Sequence, residues 1–119
     1  FSRILGEHGI PIKRCAFVSG FYKNMLTRAL RDRLAPHKAA CIYIDCDLYE
    51  STKTVLDWIE PFLQQGTVLV FDDWTWFKNR NDRGQKRAFA EWVERVGFVE
   101  LLKNGEQAVF TCLETINKT

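Results

Sequence analysis

Ile42-Tyr43-Ile44-Asp45-Cys46-Asp47 and Val68-Leu69-Val70-Phe71-Asp72-Asp73-Trp74 decide how this chain is read. Each is an apolar run that ends in a pair of carboxylates. One helix's worth of residues lies between them, the length that a parallel strand–helix–strand crossover needs. Both acidic pairs then fall at the carboxyl ends of neighbouring strands. Open α/β sheets bind their ligands at that edge.

The flanking sequence completes an α/β pattern. Between the two runs, Ser51 or Thr52 is expected to cap a helix that buries Val55, Trp58, Ile59 and Phe62. Pro61 should kink or shorten it, and Gly66 ends the connection before a strand over residues 67–71. Upstream, residues 2–8 form a short helical candidate and residues 14–19 a buried strand. Residues 24–35 carry Leu26, Leu30 and Leu34 at helical spacing. The near-continuous apolar stretch 39–44 predicts a strand buried on both faces. Downstream, residues 72–83 form a loop with Trp74, Trp76 and Phe77, suited to covering a substrate. Residues 84–95 predict an amphipathic helix with Ala88, Phe89, Trp92, Val93 and Val96 inward. Strands at 98–102 and 107–113 are joined by the hairpin signal Asn104-Gly105, and residues 115–119 read as a tail. The expected sheet is mostly parallel, with a carboxyl-terminal antiparallel hairpin.

Composition narrows the function. At 119 residues the chain is at most one domain, and 46% apolar content suits a globular core. A net charge of +2 with no long basic run points away from nucleic acid. No apolar run reaches about 18 residues, so no membrane span is expected. Cys15, Cys41, Cys46 and Cys112 form no Cys-x-x-Cys pair, which argues against zinc. Cys15, Cys41 and Cys112 read as buried, reduced thiols, and the expected location is cytoplasmic.

Asp45, Asp47, Asp72 and Asp73 carry the chemical content. A single strand-end Asp commonly caps the next turn. Two pairs on adjacent strand ends repel one another, and a cation relieves that repulsion. An all-oxygen donor set suits Mg²⁺, with Mn²⁺ or Ca²⁺ as substitutes. Such a cation can lower the pKa of a substrate hydroxyl, and a carboxylate that is not a ligand can take the proton. His8 and His37 lie away from the cluster in sequence and read as surface residues.

Asp45-Cys46-Asp47-Leu48-Tyr49-Glu50-Ser51-Thr52, followed by Gly66 and Phe71-Asp72-Asp73-Trp74, resembles the macrocin O-methyltransferase family. These are class I, S-adenosylmethionine-dependent, Mg²⁺-dependent sugar O-methyltransferases of antibiotic biosynthesis. Val18-Ser19-Gly20-Phe21-Tyr22 is similar to the family's Gly-x-Phe stretch. The resemblance implies a Rossmann-like class I methyltransferase sheet. It implies Asp45, Asp72 and Asp73 as ligands of Mg²⁺ (or Mn²⁺) and Asp47 as general base. Glu50 and Ser51 match supporting positions. Trp74 and Tyr49 would face the substrate, with core packing as the alternative for Trp74. The acceptor would be a hydroxyl of a sugar or polyol, as a small or glycosylated molecule.

The family's cofactor-binding elements, a Gly-x-Gly turn after a first strand and an acidic residue after a second, have no counterpart here. The chain is therefore expected to be the carboxyl-terminal half of the domain, 1–119, with cofactor-binding residues unassigned and no activity of its own. In the family's strand order 3-2-1-4-5-7-6, residues 14–19 would be strand 3 and residues 39–44 strand 4. Without strands 1 and 2, three outcomes are open for residues 14–19. They pair with 39–44, they pair with another chain in a homo-oligomer formed through the exposed edge, or they leave the sheet. The alternative function is a non-catalytic binding or assembly module with a vestigial cation site. A phosphoryl-transfer receiver is disfavoured by the terminal hairpin and the lack of a suitable Lys and Thr set.

Overall fold

A computed structural model describes residues 2–34, 37–78 and 80–113. The helices are α1 (Ser2–Glu7), α2 (Tyr22–Met25), α3 (Arg28–Leu34), α4 (Tyr49–Ile59) and α5 (Gly84–Val93). The strands are β1 (Cys41–Ile44), β2 (Val68–Phe71), β3 (Phe98–Asn104) and β4 (Gln107–Cys112). They form one sheet in the order β1-β2-β4-β3. β1 and β2 are parallel, with Ile44 opposite Phe71, and the other two pairings are antiparallel. The anticipated crossover is thus present, and α4 is its helix.

Strand alternation creates the core. Ile44, Leu69, Phe71, Ala108 and Phe110 point to one face and are buried there with Leu56, Ile59 and Leu63 and with Ala88, Phe89 and Trp92 of α5. Phe71, Trp74, Phe89 and Phe110 form a ring cluster with centroid separations of 4.2–5.8 Å. No described helix is long and apolar enough to cross a membrane.

Several sequence expectations are corrected. Residues 15–20 form no strand, and Ile12–Arg14 is a short 3₁₀ turn, so this segment lies outside the sheet. No described strand lies beside it, so its backbone joins no ladder. Only one of the three strand pairings is parallel, where a mostly parallel sheet was expected. The helix expected at 24–35 is two helices, α2 and α3, and none of its leucines is buried. Residues 35 and 36, with the tail 115–119, lie outside the described residues.

β1 is buried on one face, not both. Cys41 is exposed rather than buried, and Tyr43 is 55% exposed, because nothing described covers that side of an edge strand. Cys15 is half-buried, and Cys112 is buried as expected. Neither Ser51 nor Thr52 caps α4, which begins earlier with Leu48 at its N-cap. Thr52 is instead fully buried and returns its hydroxyl to the Leu48 carbonyl at 2.9 Å. Pro61 falls in a 3₁₀ turn, Glu60–Phe62, that ends α4. The hairpin turn is Gly105-Glu106: Asn104 still pairs with Gln107, and Gly105 takes the positive φ of 61°.

Candidate functional site

Asp45 leaves β1 at its carboxyl end, and Asp72 and Asp73 leave β2 beside it. The backbone binds the two ends together, because the Asp72 N–H donates to the Ile44 carbonyl at 3.0 Å. Asp47 has a positive φ of 30° and forms a tight three-residue turn in which the Leu48 N–H meets the Cys46 carbonyl. Left-handed backbone is uncommon outside glycine, although Asp tolerates it better than most residues. The turn brings the Asp47 N–H to Asp73 Oδ2 at 3.2 Å.

One oxygen from each of Asp45, Asp47 and Asp73 lies within 4.8 Å of the others. Asp72 takes a different direction. As residue 72 shares strand parity with Val70, its side chain emerges on the open face, where Gln107 Nε2 donates to its Oδ1 at 2.7 Å. Gln107 and the Tyr43 hydroxyl hold the Asp72 carboxyl below its ordinary value, and Asp45 also borders it. Asp45 therefore stands between Asp72 and Asp73.

The electrostatics record crowding. Burial, with the neighbouring Asp47 and Asp45 adding to it, raises Asp73 to about 7. Burial also raises the Cys46 thiol. Its contact with Thr52 partly opposes this, and Asp73, Asp47 and Asp45 reinforce it. Burial and the surrounding carboxylates thus favour the neutral thiol at Cys46.

The two aromatic residues assigned to the substrate are anchored in the fold. Tyr49 donates its hydroxyl to Glu91 Oε2 at 2.5 Å, and the Arg87 guanidinium lies 3.9 Å from its ring centroid. This joins α4 to α5. Trp74 packs in the ring cluster, and its backbone N–H donates to Glu106 at 2.8 Å. Its indole Nε1 is buried with no hydrogen-bond partner among the described residues. The same ring borders a cavity of about 370 Å³ with Lys86, Phe89, Phe98 and Phe110. In the loop that follows, Trp76 and Phe77 are exposed, while Arg80 and Arg83 pair with Asp82.

Four residues at the site escaped the sequence reading. Gln85 is 1% exposed and hydrogen-bonds both strand ends. Gly84 has φ of 56°, and a Cβ there would lie 3.0 Å from the Phe77 ring and 3.4 Å from the Asp47 carbonyl. Gln107 and Tyr43 hold Asp72. The signal for Gly84 was its place at the start of a helix after a long loop. A buried glutamine has no periodic signature.

A β1-β2-β4-β3 sheet with one parallel crossover and carboxylates at its strand ends defines a partial Rossmann-like sheet of the class I methyltransferase type. Two solved structures share it. CalS11, calicheamicin methyltransferase, is 26% identical, with TM-score 0.60 over 79% of this chain and 36% of its own. The apo form of CalS11, a TDP-rhamnose 3'-O-methyltransferase of calicheamicin biosynthesis, gives 27%, 0.61, 79% and 40%. A protein from Corynebacterium glutamicum, at 20% identity and TM-score 0.61 over 94% of this chain and 54% of its own, shows the fold alone. The chain spans 36–54% of the length of these proteins. No curated protein sequence matches. The macrocin-O-methyltransferase (TylF) family matches residues 5–94, most of the chain, and the chain belongs to that family.

Proposed function

We propose that this chain supplies the metal- and acceptor-binding part of an S-adenosylmethionine-dependent O-methyltransferase acting on a hydroxyl of a sugar or polyol. The observation that carries this is the convergence of Asp45, Asp47 and Asp73, with Asp72 adjoining Asp45. The donor set is all oxygen and fits Mg²⁺ or Mn²⁺ rather than zinc. When bound, the cation would polarise the acceptor hydroxyl, and S-adenosylmethionine would supply the methyl group. Asp45 and Asp73 would be two of the ligands, since both lie in the carboxylate cluster and at positions where the family resemblance implies ligands. Asp72 would be the third, from the side of Tyr43 and Gln107. Asp47 would then accept the hydroxyl proton, and the fixed strand ends would hold the reacting groups in line. Family membership and the sugar O-methyltransferase activity of CalS11 support the reading.

The cluster favours a second assignment, in which Asp47 is a ligand in place of Asp72. Mn²⁺ affinity separates the two. If Asp47 is the base, Asp47→Asn keeps Mn²⁺ affinity and abolishes methyl transfer, whereas Asp72→Asn weakens Mn²⁺ binding. The reverse pattern makes Asp47 the ligand. The function itself is tested in the full-length protein with labelled S-adenosylmethionine and nucleotide sugars, including TDP-rhamnose, with and without chelator. Chelator-sensitive label transfer is expected. Mn²⁺ binding without transfer to any hydroxylated acceptor would instead support a non-catalytic binding module.

A further inference from the structure

We infer that Gln85 is a positioning residue for the cation site, setting the separation of the two strand ends that carry the carboxylates. The inference rests on the metal reading above. Gln85 is the second residue of α5, and its amide is used at both ends. Its Oε1 accepts from the Asp73 N–H at 3.0 Å, and its Nε2 donates to the Ile44 carbonyl at 3.2 Å. Ile44 immediately precedes Asp45. One planar amide therefore spans from the residue before one proposed ligand to the backbone of the other.

The brace is placed to be stiff. Gln85 is 1% exposed, so water does not compete for either bond. The Ile44 carbonyl accepts from the Asp72 N–H as well, which ties the same point to β2. Gly84, just before it, faces Phe77 and the Asp47 carbonyl, where an added Cβ would lie 3.0 and 3.4 Å away, so a side chain there would disturb the start of α5. Without the brace, the Asp72 N–H still ties β2 to the Ile44 carbonyl, but the Asp73 main chain itself loses its hydrogen bond and its link to the residue before Asp45. Mutually repelling carboxylates would then spread. Groups that orient ligands in this way typically contribute about 10–100-fold to metal affinity.

Gln85→Met keeps the length and removes both hydrogen bonds. Mn²⁺ binding is measured at 10 °C by the electron paramagnetic resonance signal of the free ion, in the parent chain, Gln85→Met and Asp73→Asn. The expected result is affinity about tenfold weaker in Gln85→Met, at a temperature where circular dichroism shows it folded, and no binding in Asp73→Asn. A lowered Tm with unchanged Mn²⁺ affinity would mean a purely structural glutamine and overturn the inference alone. Failure of the parent to bind Mn²⁺ would overturn the metal reading and this inference with it. A measurement on the parent covers the case in which Gln85→Met does not fold. The Gln85 side-chain amide resonances should move and exchange more slowly on Mg²⁺ addition, and resonances unmoved at saturating Mg²⁺ would refute the brace.

Discussion

Asp73 is raised to about 7, chiefly by burial and then by Asp47, against an ordinary value of 3.8. The folded chain therefore holds this proton more tightly than the unfolded chain. The stability linked to it is fully present below 3.8 and is lost as pH rises through 7. A bound cation has the opposite preference, because ligands must be deprotonated. Mg²⁺ affinity should climb from pH 5 to about 7, by up to roughly tenfold per pH unit for one coupled proton, and then level. Calorimetric titration at pH 6 in two buffers of different ionisation enthalpy should show about one proton released per Mg²⁺; identical heats would refute the linkage. Gly84 gives a second test. Its positive φ strains any L side chain, and an added methyl group, 3.0 Å from the Phe77 ring, would push that ring by a few tenths of an ångström. Gly84→Ala should cost about 1–3 kcal/mol in urea unfolding, and a neutral result would show that the α5 start can re-form.

At the scale of elements, α4 and α5 are joined by a polar cluster as well as by the core. Glu60 Oε1 accepts from Trp92 Nε1 at 2.9 Å and from Arg95 at 2.8 Å, and Arg95 also reaches Asp57 at 3.1 Å. Glu60 is buried while Arg95 is largely exposed, so the pair gains part of its strength from low dielectric and part is screened. Glu60→Ala leaves the buried Trp92 N–H without this acceptor and should cost about 2 kcal/mol by chemical denaturation. Glu60→Gln retains an acceptor and should cost clearly less. The crossover, α5 and the terminal hairpin were legible in the sequence because their apolar spacing is periodic and their ends carry Gly or Asp. The missed elements failed for a tertiary reason. Residues 14–19 have strand-like composition, and Leu26, Leu30 and Leu34 have helix spacing, but composition does not reveal whether a partner surface is present. The site shows the same division. The four carboxylates were visible as residue types at strand ends. That Gln107 and Tyr43 draw Asp72 to the open face follows from cross-strand register, which only the folded sheet supplies.

At the scale of the molecule, the four-stranded sheet ends in two edge strands, β1 and β3. β1 is an edge strand, and the residues that bond to β2 are the even-numbered ones, since Val68 donates to the Ala40 carbonyl and Asp72 to that of Ile44. The N–H groups of Cys41 and Tyr43 therefore face outward from the sheet. Beside them lies an apolar groove of about 440 Å³ bordered by Leu34, Ile42, Trp58 and Phe62. An unpaired strand edge next to apolar surface is a template for association. We predict that the 119-residue chain self-associates through β1 in a concentration-dependent manner. Sedimentation velocity under reducing conditions, so that the exposed Cys41 forms no disulfide, should show the mean sedimentation coefficient rising with concentration. Cys41→Lys adds charge at the edge without touching the core or the carboxylates, and it should return the chain to a monomer. If parent and variant sediment alike at every concentration, the open edge is not the contact, and the bare face that carries Tyr43 becomes the surface to test.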